Sequence, residues 1–336
     1  MAKHDIEVTN VKHGTTFYSE ISYFTGGLIG MALQGGSYGL MPIARGVELI
    51  AILDLSWQRL NEITDQCGSR FVGSNQVLET NVGPRNEIWK PSSALPADRL
   101  HGAESWSAIS LQARIKGDRE YEDAARYVSV SIQAAGIRLR DVAKGHHDQL
   151  RWALEEGMRP GSGFTNIALF DLYLDFHSLA TELCAARDHL ARVAAITVGA
   201  KDSIDSMARL EDWLRKPVNA DLAKDPLTAL LLIAWGSKES PSWLQTLGDI
   251  RNQMVHKQPM AANPEAAVLR LVEVNTTVGP ISTIRLAPLG TTDLNLVGAP
   301  DPFVTLLNLY NHMEQLVKSA SGLARYPPEP LAMLAV

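Results

Sequence analysis

Cysteine is scarce: the 336-residue chain has two, Cys67 and Cys184. They lie far apart and outside any Cys-x-x-Cys or zinc-ligand spacing, which excludes a disulfide scaffold and a cysteine metal cluster. Each is expected to be a buried, reduced thiol, in keeping with a reducing cytoplasm. The N-terminus, Met1-Ala-Lys-His-Asp-Ile-Glu7, lacks the basic start and apolar core of a secretory signal. An excess of positive charge is missing too. Lys and Arg total 31 against 37 Asp and Glu, for a net charge of −6. That balance excludes an extended non-specific nucleic-acid surface and leaves room for a local basic site. There is no Gly-x4-Gly-Lys-Ser/Thr, His-Glu-x-x-His or Gly-x-Ser-x-Gly. A phosphate-cradling P-loop, a zinc-protease helix and a hydrolase nucleophile elbow are thereby excluded. No metal and no cofactor is expected.

Charge is absent locally from residues 21–44, a stretch long enough to span a bilayer. Six glycines, Gln34, Ser22, Ser37, Thr25 and Pro42 dilute its apolar transfer energy. It reads as a buried, tightly packed segment outside a membrane. Its two halves, GGLIGMALQ and GGSYGLMPI, form a degenerate nine-residue repeat, too few copies for a solenoid.

What is present is mostly helical periodicity. Val47, Ile50, Leu53, Trp57 and Leu60 predict a helix over 41–64. Residues 67–103, rich in Asn, Gly, Ser and Pro, read as a long loop. Ala124, Val128, Ile132, Ala135, Leu139 and Val142 stripe a helix over 118–143, continuing through Leu150 and Leu154. The run Glu156-Gly-Met-Arg-Pro-Gly-Ser-Gly163 is the strongest breaker and suggests a domain boundary. Beyond it come a long helix over 166–196, a short one capped by Asp202 or Ser203, and helices opened by Asp225-Pro226, Ser240-Pro241 and Asp301-Pro302. Strands are expected at 268–274, 281–286 and 294–297. The fold class expected is therefore mainly all-α. A mostly helical N-terminal domain of unassigned role (1–160) precedes a helical bundle (161–328) with a small β excursion.

One stretch carries chemistry. In the helix after Pro241, Leu244, Leu247, Ile250 and Met254 form one buried face. Arg251, Asn252 and His256 lie off that face. Arg251 and His256 are five residues apart, about 140° of rotation and about 7.5 Å of rise on a regular helix. Arg offers a planar fork of donors matched to phosphate oxygens. His can give or take a proton near neutral pH. Asn can hydrogen-bond and orient either the His or a ribose. The alternative is a surface Arg251, or one paired with a carboxylate such as Asp249 or Glu182.

The motif Arg251-Asn252-Gln-Met-Val-His256 resembles the signature of the HEPN superfamily (higher eukaryotes and prokaryotes nucleotide-binding domains), over roughly residues 165–325, about half of the chain. That family's pattern is Arg, a polar residue, then His, late in an all-α bundle. The β excursion departs from the minimal bundle. Many members are metal-independent endoribonucleases, often toxins or antiviral defence effectors, and act as homodimers. The resemblance implies that His256 activates a ribose 2′-hydroxyl, Arg251 holds the scissile phosphate, Asn252 orients them and Lys257 helps to bind substrate. It also implies a 2′,3′-cyclic phosphate product, RNA as partner, a homodimer, an antitoxin partner where the role is toxic, and a cytoplasmic location without a membrane. The competing implication is a non-catalytic helical module for dimerisation or nucleotide binding.

Two other clusters compete. Arg140-Asp141-Val-Ala-Lys144-Gly145-His146-His147 repeats the outline with five intervening residues. Gly145 reads there as a helix end, where Lys144, His146 and His147 would complement the dipole. Arg187-Asp188-His189 has the wrong order for a triad, and its consecutive residues point different ways. Glu182 and Asp188 are candidate acidic neighbours of Arg251 across the bundle, and a solvated helix face is the reading expected for them.

Overall fold

In the computed structural model, residues 16–45, 48–80, 86–93, 101–257, 268–287 and 301–329 are described. The expected all-α chain is corrected at once by its N-terminal part. The strands β1 (Thr16–Phe24), β2 (Ile29–Ala32), β3 (Tyr38–Arg45), β4 (Glu48–Leu55), β5 (Phe71–Thr80) and β6 (Asn86–Pro91) build a six-stranded sheet. Its order is β4-β3-β2-β1-β5-β6, and every neighbouring pair is antiparallel. The chain is mixed α and β.

The nine-residue repeat is the period of this sheet. Gly26 and Gly27 have φ of 81° and 87°, and Gly35 and Gly36 have φ of 85° and 82°. Each Gly-Gly pair turns the chain between antiparallel strands, in a left-handed backbone that other residues enter at a cost. One copy of the repeat is thus one turn plus one strand. The uncharged segment is sheet, and among the described residues no helix is long and apolar enough to cross a membrane.

The predicted helix over 41–64 is part strand, part helix. The run Glu48-Leu-Ile-Ala-Ile-Leu-Asp-Leu55 is nearly continuous in apolar residues and fits either period. Pairing with β3 decides for strand, with register shifts on both sides of Leu40. The helix α1 (Trp57–Gln66) starts only at Ser56, whose hydroxyl accepts the Arg59 N–H. The expected loop over 67–103 contains β5 and β6. Its Gly, Ser and Asn residues suggested turns, yet Ser74 and Asn75 are buried in the strand between β1 and β6. At Gly73 a Cβ would lie 2.6 Å from the Trp89 ring, so the glycine serves close packing.

Later elements follow the periodicity more closely. The helices α2 (Gly102–Ile115), α3 (Arg119–Glu155) and α4 (Leu169–Thr197) precede α5 (Met207–Leu214), α6 (Pro226–Trp235), α7 (Trp243–Asn252) and α8 (Pro302–Ser321). A two-residue strand β7 (Gly163–Phe164) pairs with β8 (Leu269–Thr276), which pairs in turn with β9 (Gly279–Leu286). Asp225 caps α6 by accepting the N–H groups of Leu227 and Thr228. Asp301 accepts that of Phe303 at the start of α8. The short helix begins after Ser206 rather than Asp202 or Ser203. Gly145 does not end α3. It lies inside the helix, where an added Cβ would stand 3.0 Å from the Leu172 side chain. The expected strand at 294–297 lies outside the described residues.

The chain divides into two compact units, each drawn from three segments. The first comprises residues 1–92, 137–176 and 260–307, and holds every named strand. Phe24, Leu28, Leu40, Ile43, Leu60, Ile63, Leu139 and Phe303 are buried in it. The second comprises 93–136, 177–259 and 308–336, and its described part is helical. Trp106, Tyr121, Ile132, Leu183, Leu247 and Tyr310 form its interior. Each such side chain contributes about 1.5–3 kcal/mol by leaving water. The Trp106 indole also donates to the Val317 carbonyl at 2.8 Å, which leaves no buried donor unmatched there.

Candidate functional site

Arg251, Asn252 and His256 belong to the helical unit, at the end of α7. The expected buried face forms: Leu244, Leu247, Ile250 and Met254 are all buried. It pins α7 and leaves the opposite side to solvent. Arg251 is partly exposed, and Asn252 and His256 are exposed.

The helix changes character at this point. Residues Gln253–Lys257 form a π-helical turn. In such a turn the repeat lengthens toward five residues, so residues five apart come closer to overlaying each other. His256 lies within this turn, and Arg251 lies just before it on α7. The Arg251 guanidinium donates from Nη1 to Asn252 Oδ1 at 2.8 Å. Among the described residues neither Asp249 nor Glu182 forms an ion pair with Arg251. Lys257 ends the described stretch, and its side chain lies outside what is described.

The α4 helix packs beside α7. Cys184 Sγ approaches the Leu247 carbonyl at 3.9 Å. A Cβ placed at Gly248 would stand 3.0 Å from Arg187 Nη1. Burial pushes the Cys184 thiol up, while the guanidiniums of Arg187 and Arg251 both pull it down. Both cations therefore act at the same seam. Arg187 engages Asp188, one of the two carboxylates expected on a solvated face or beside Arg251. Its side chain is 13% exposed, and Nε and Nη2 fork onto the Asp188 carboxylate at 2.9 and 3.0 Å. Burial works against its charge, and the hydrogen bonds and negative charge of Asp188 outweigh that and hold the guanidinium above its ordinary range. Asp188 Oδ1 also accepts the Met207 N–H at the start of α5. His189 stacks against Tyr127 instead, with ring centres 5.4 Å apart. Sequence reasoning missed the link between Arg187 and α7. A signal was present in Gly248, a helix-interior glycine one turn before Arg251.

The second motif is dismantled by packing. Arg140 forks onto Asp141 and Lys144 pairs with Glu87 at 3.1 Å. His147 Nδ1 donates to the Gly27 carbonyl at 3.0 Å. His146 is fully buried between Phe303 and Phe176, with ring centres 4.6 and 5.8 Å away. Neither of its ring nitrogens has a hydrogen-bond partner among the described residues. Burial pulls its pKa from 6.5 down to about 3, so this is a neutral core histidine. No group of three or more His, Cys, Asp or Glu among the described residues could hold a metal ion.

Comparisons with known proteins add no relative: no family model, no curated protein and no solved structure matches this chain.

Proposed function

We propose that this chain is a HEPN-like endoribonuclease that cuts RNA without a metal, through Arg251, Asn252 and His256. The observation that carries the reading is the Arg251–Asn252 hydrogen bond with an exposed His256 on the π turn that follows it. A guanidinium held on a neighbouring amide loses little freedom when it grips a phosphate. Its remaining donors face the non-bridging oxygens of the scissile phosphodiester. His256 takes the 2′-hydroxyl proton as general base. The 2′-oxygen attacks phosphorus, the P–O5′ bond breaks, the leaving 5′-oxygen takes a proton from water to become a hydroxyl, and a 2′,3′-cyclic phosphate remains. Arg251 offsets the charge that builds on the phosphoryl oxygens, the larger share of catalysis in this class of step. Lys257 adds a phosphate contact in the same proposal.

The cellular reading belongs to the same proposal. The enzyme acts in the cytoplasm as a toxin or antiviral effector, as a homodimer, and with a neutralising partner where it is a toxin. Two buried free thiols fit that compartment.

The test uses purified full-length protein, EDTA, and an RNA strand beside the same strand carrying 2′-deoxyribose at the cut position. Cleavage of the RNA alone is expected, with a cyclic phosphate end. His256→Ala and Arg251→Ala should each lose at least about a hundredfold in rate with unchanged circular dichroism. Intact RNA under all conditions refutes the enzyme and favours a non-catalytic dimerisation or nucleotide-binding module.

A further inference from the structure

Next to Arg251 the helical unit places a second guanidinium that the reaction above leaves unused. Arg187 gives two of its nitrogens to Asp188, and Nη1 makes no hydrogen bond among the described residues. The group is held in place from two more sides. Its carbon lies 5.7 Å from the centre of the Trp235 ring, and its Nη1 edge meets α7 at Gly248. Gly248 stands three residues before Arg251 and four before Asn252, so the three share one face of α7. A glycine inside a helix lowers its stability relative to alanine. Here it makes room for Arg187: a Cβ would stand 3.0 Å from Nη1, so the guanidinium would have to shift by a few tenths of an ångström. The Cys184 thiol, between the two helices, feels both cations.

We propose that Arg187 is a second phosphate contact of this site, holding a phosphodiester adjacent to the one gripped by Arg251. The substrate is then an RNA strand with at least two consecutive phosphodiesters, and a dinucleoside monophosphate binds without using Arg187. This assignment rests on the RNA-cleavage reading of Arg251 and His256. Asp188 is its orienting partner: it takes Nε and Nη2, so the donor offered to an anion is Nη1, beside Gly248.

The experiment measures binding of a 2′-O-methyl RNA ten-mer, which cannot be cut, across a salt series by fluorescence anisotropy. Wild type, Arg187→Gln, Gly248→Ala and His256→Ala are compared, and cleavage of the unmodified ten-mer and of a dinucleoside monophosphate is followed in parallel. Arg187→Gln and Gly248→Ala should bind the ten-mer about tenfold more weakly. Their log–log salt slopes should shrink by about 0.7, the share of one phosphate contact on a single strand. Their loss in cleavage of the ten-mer should appear in KM, and the dinucleoside monophosphate should be cut at the wild-type rate. His256→Ala should keep the wild-type slope. Gly248→Ala favours the helical state of α7, so it carries the test if Arg187→Gln fails to fold. Cleavage by wild type with an unchanged salt slope in both variants, or an equal loss on the dinucleoside monophosphate, overturns the role of Arg187 alone. No cleavage by wild type overturns the parent reading and this assignment with it.

Discussion

Replacing His146 with leucine should flatten the acid sensitivity of the fold. The imidazole is sealed among Phe176 and Phe303 with both ring nitrogens unpartnered. Its pKa falls from 6.5 to about 3 in the folded chain. The unfolded chain therefore binds a proton between those values that the native chain refuses. Stability contributed by the neutral ring is fully present above pH 6.5 and is lost as pH falls toward 3. One such proton changes stability by about 1.4 kcal/mol per pH unit, or about 2 kcal/mol by pH 5. At neutral pH opposing effects partly cancel. Removing unpartnered buried nitrogens gains about 1–3 kcal/mol, and lost ring contacts cost about 0.5–1.5 kcal/mol each. The assay is urea unfolding of wild type and His146→Leu at pH 7 and pH 5. His147, whose pKa is also lowered first by burial, titrates in both proteins and drops out of the difference. The wild type should lose about 2 kcal/mol more than the variant between the two conditions. Parallel losses would refute the sealed, unpartnered histidine.

The paired glycines of the repeat should respond unequally to alanine. At Gly27 (φ 87°) a Cβ would sit 2.6 Å from Leu150 Cβ and 2.7 Å from the His146 carbonyl, whereas at Gly35 (φ 85°) nothing lies within 4 Å. Gly27→Ala should cost about 3 kcal/mol or more and Gly35→Ala about 1–2 kcal/mol, read from thermal or urea unfolding. Asp225→Ala should cost about 1 kcal/mol, because two N–H groups of α6 lose their acceptor. Burial raises the Cys67 thiol to about 11 and also raises Cys184, so both should resist iodoacetamide near neutral pH until denaturant is added. Fast labelling of either in the folded protein would contradict its burial.

Much of the helical part was legible in the sequence because its signals are local. Proline after a capping Asp placed the starts of α6 and α8, and the apolar stripes of α3 and α7 named their buried faces. The strand pair β8 and β9 was legible for the same reason, since its β-branched runs are bounded by turn residues. The candidate site was half legible. The order of Arg251, Asn252 and His256 could be read directly, and Gly248 signalled a close approach to α7, but the π turn beneath His256 and the identity of Arg187 as that neighbour could not be read.

By itself the sequence determined where most long helices would form, and that Arg251, Asn252 and His256 lie off the buried face of α7 and the turn that follows it. Both are properties of neighbours within a turn or two. The tertiary structure alone decided that residues 48–55 join a sheet and that His146 becomes core while His256 stays in water. It also decided that the Gly-Gly repeat turns strands. A strand exists only when a partner strand satisfies its backbone, and burial is set by whatever packs from elsewhere in the chain, so neither is written in the local pattern.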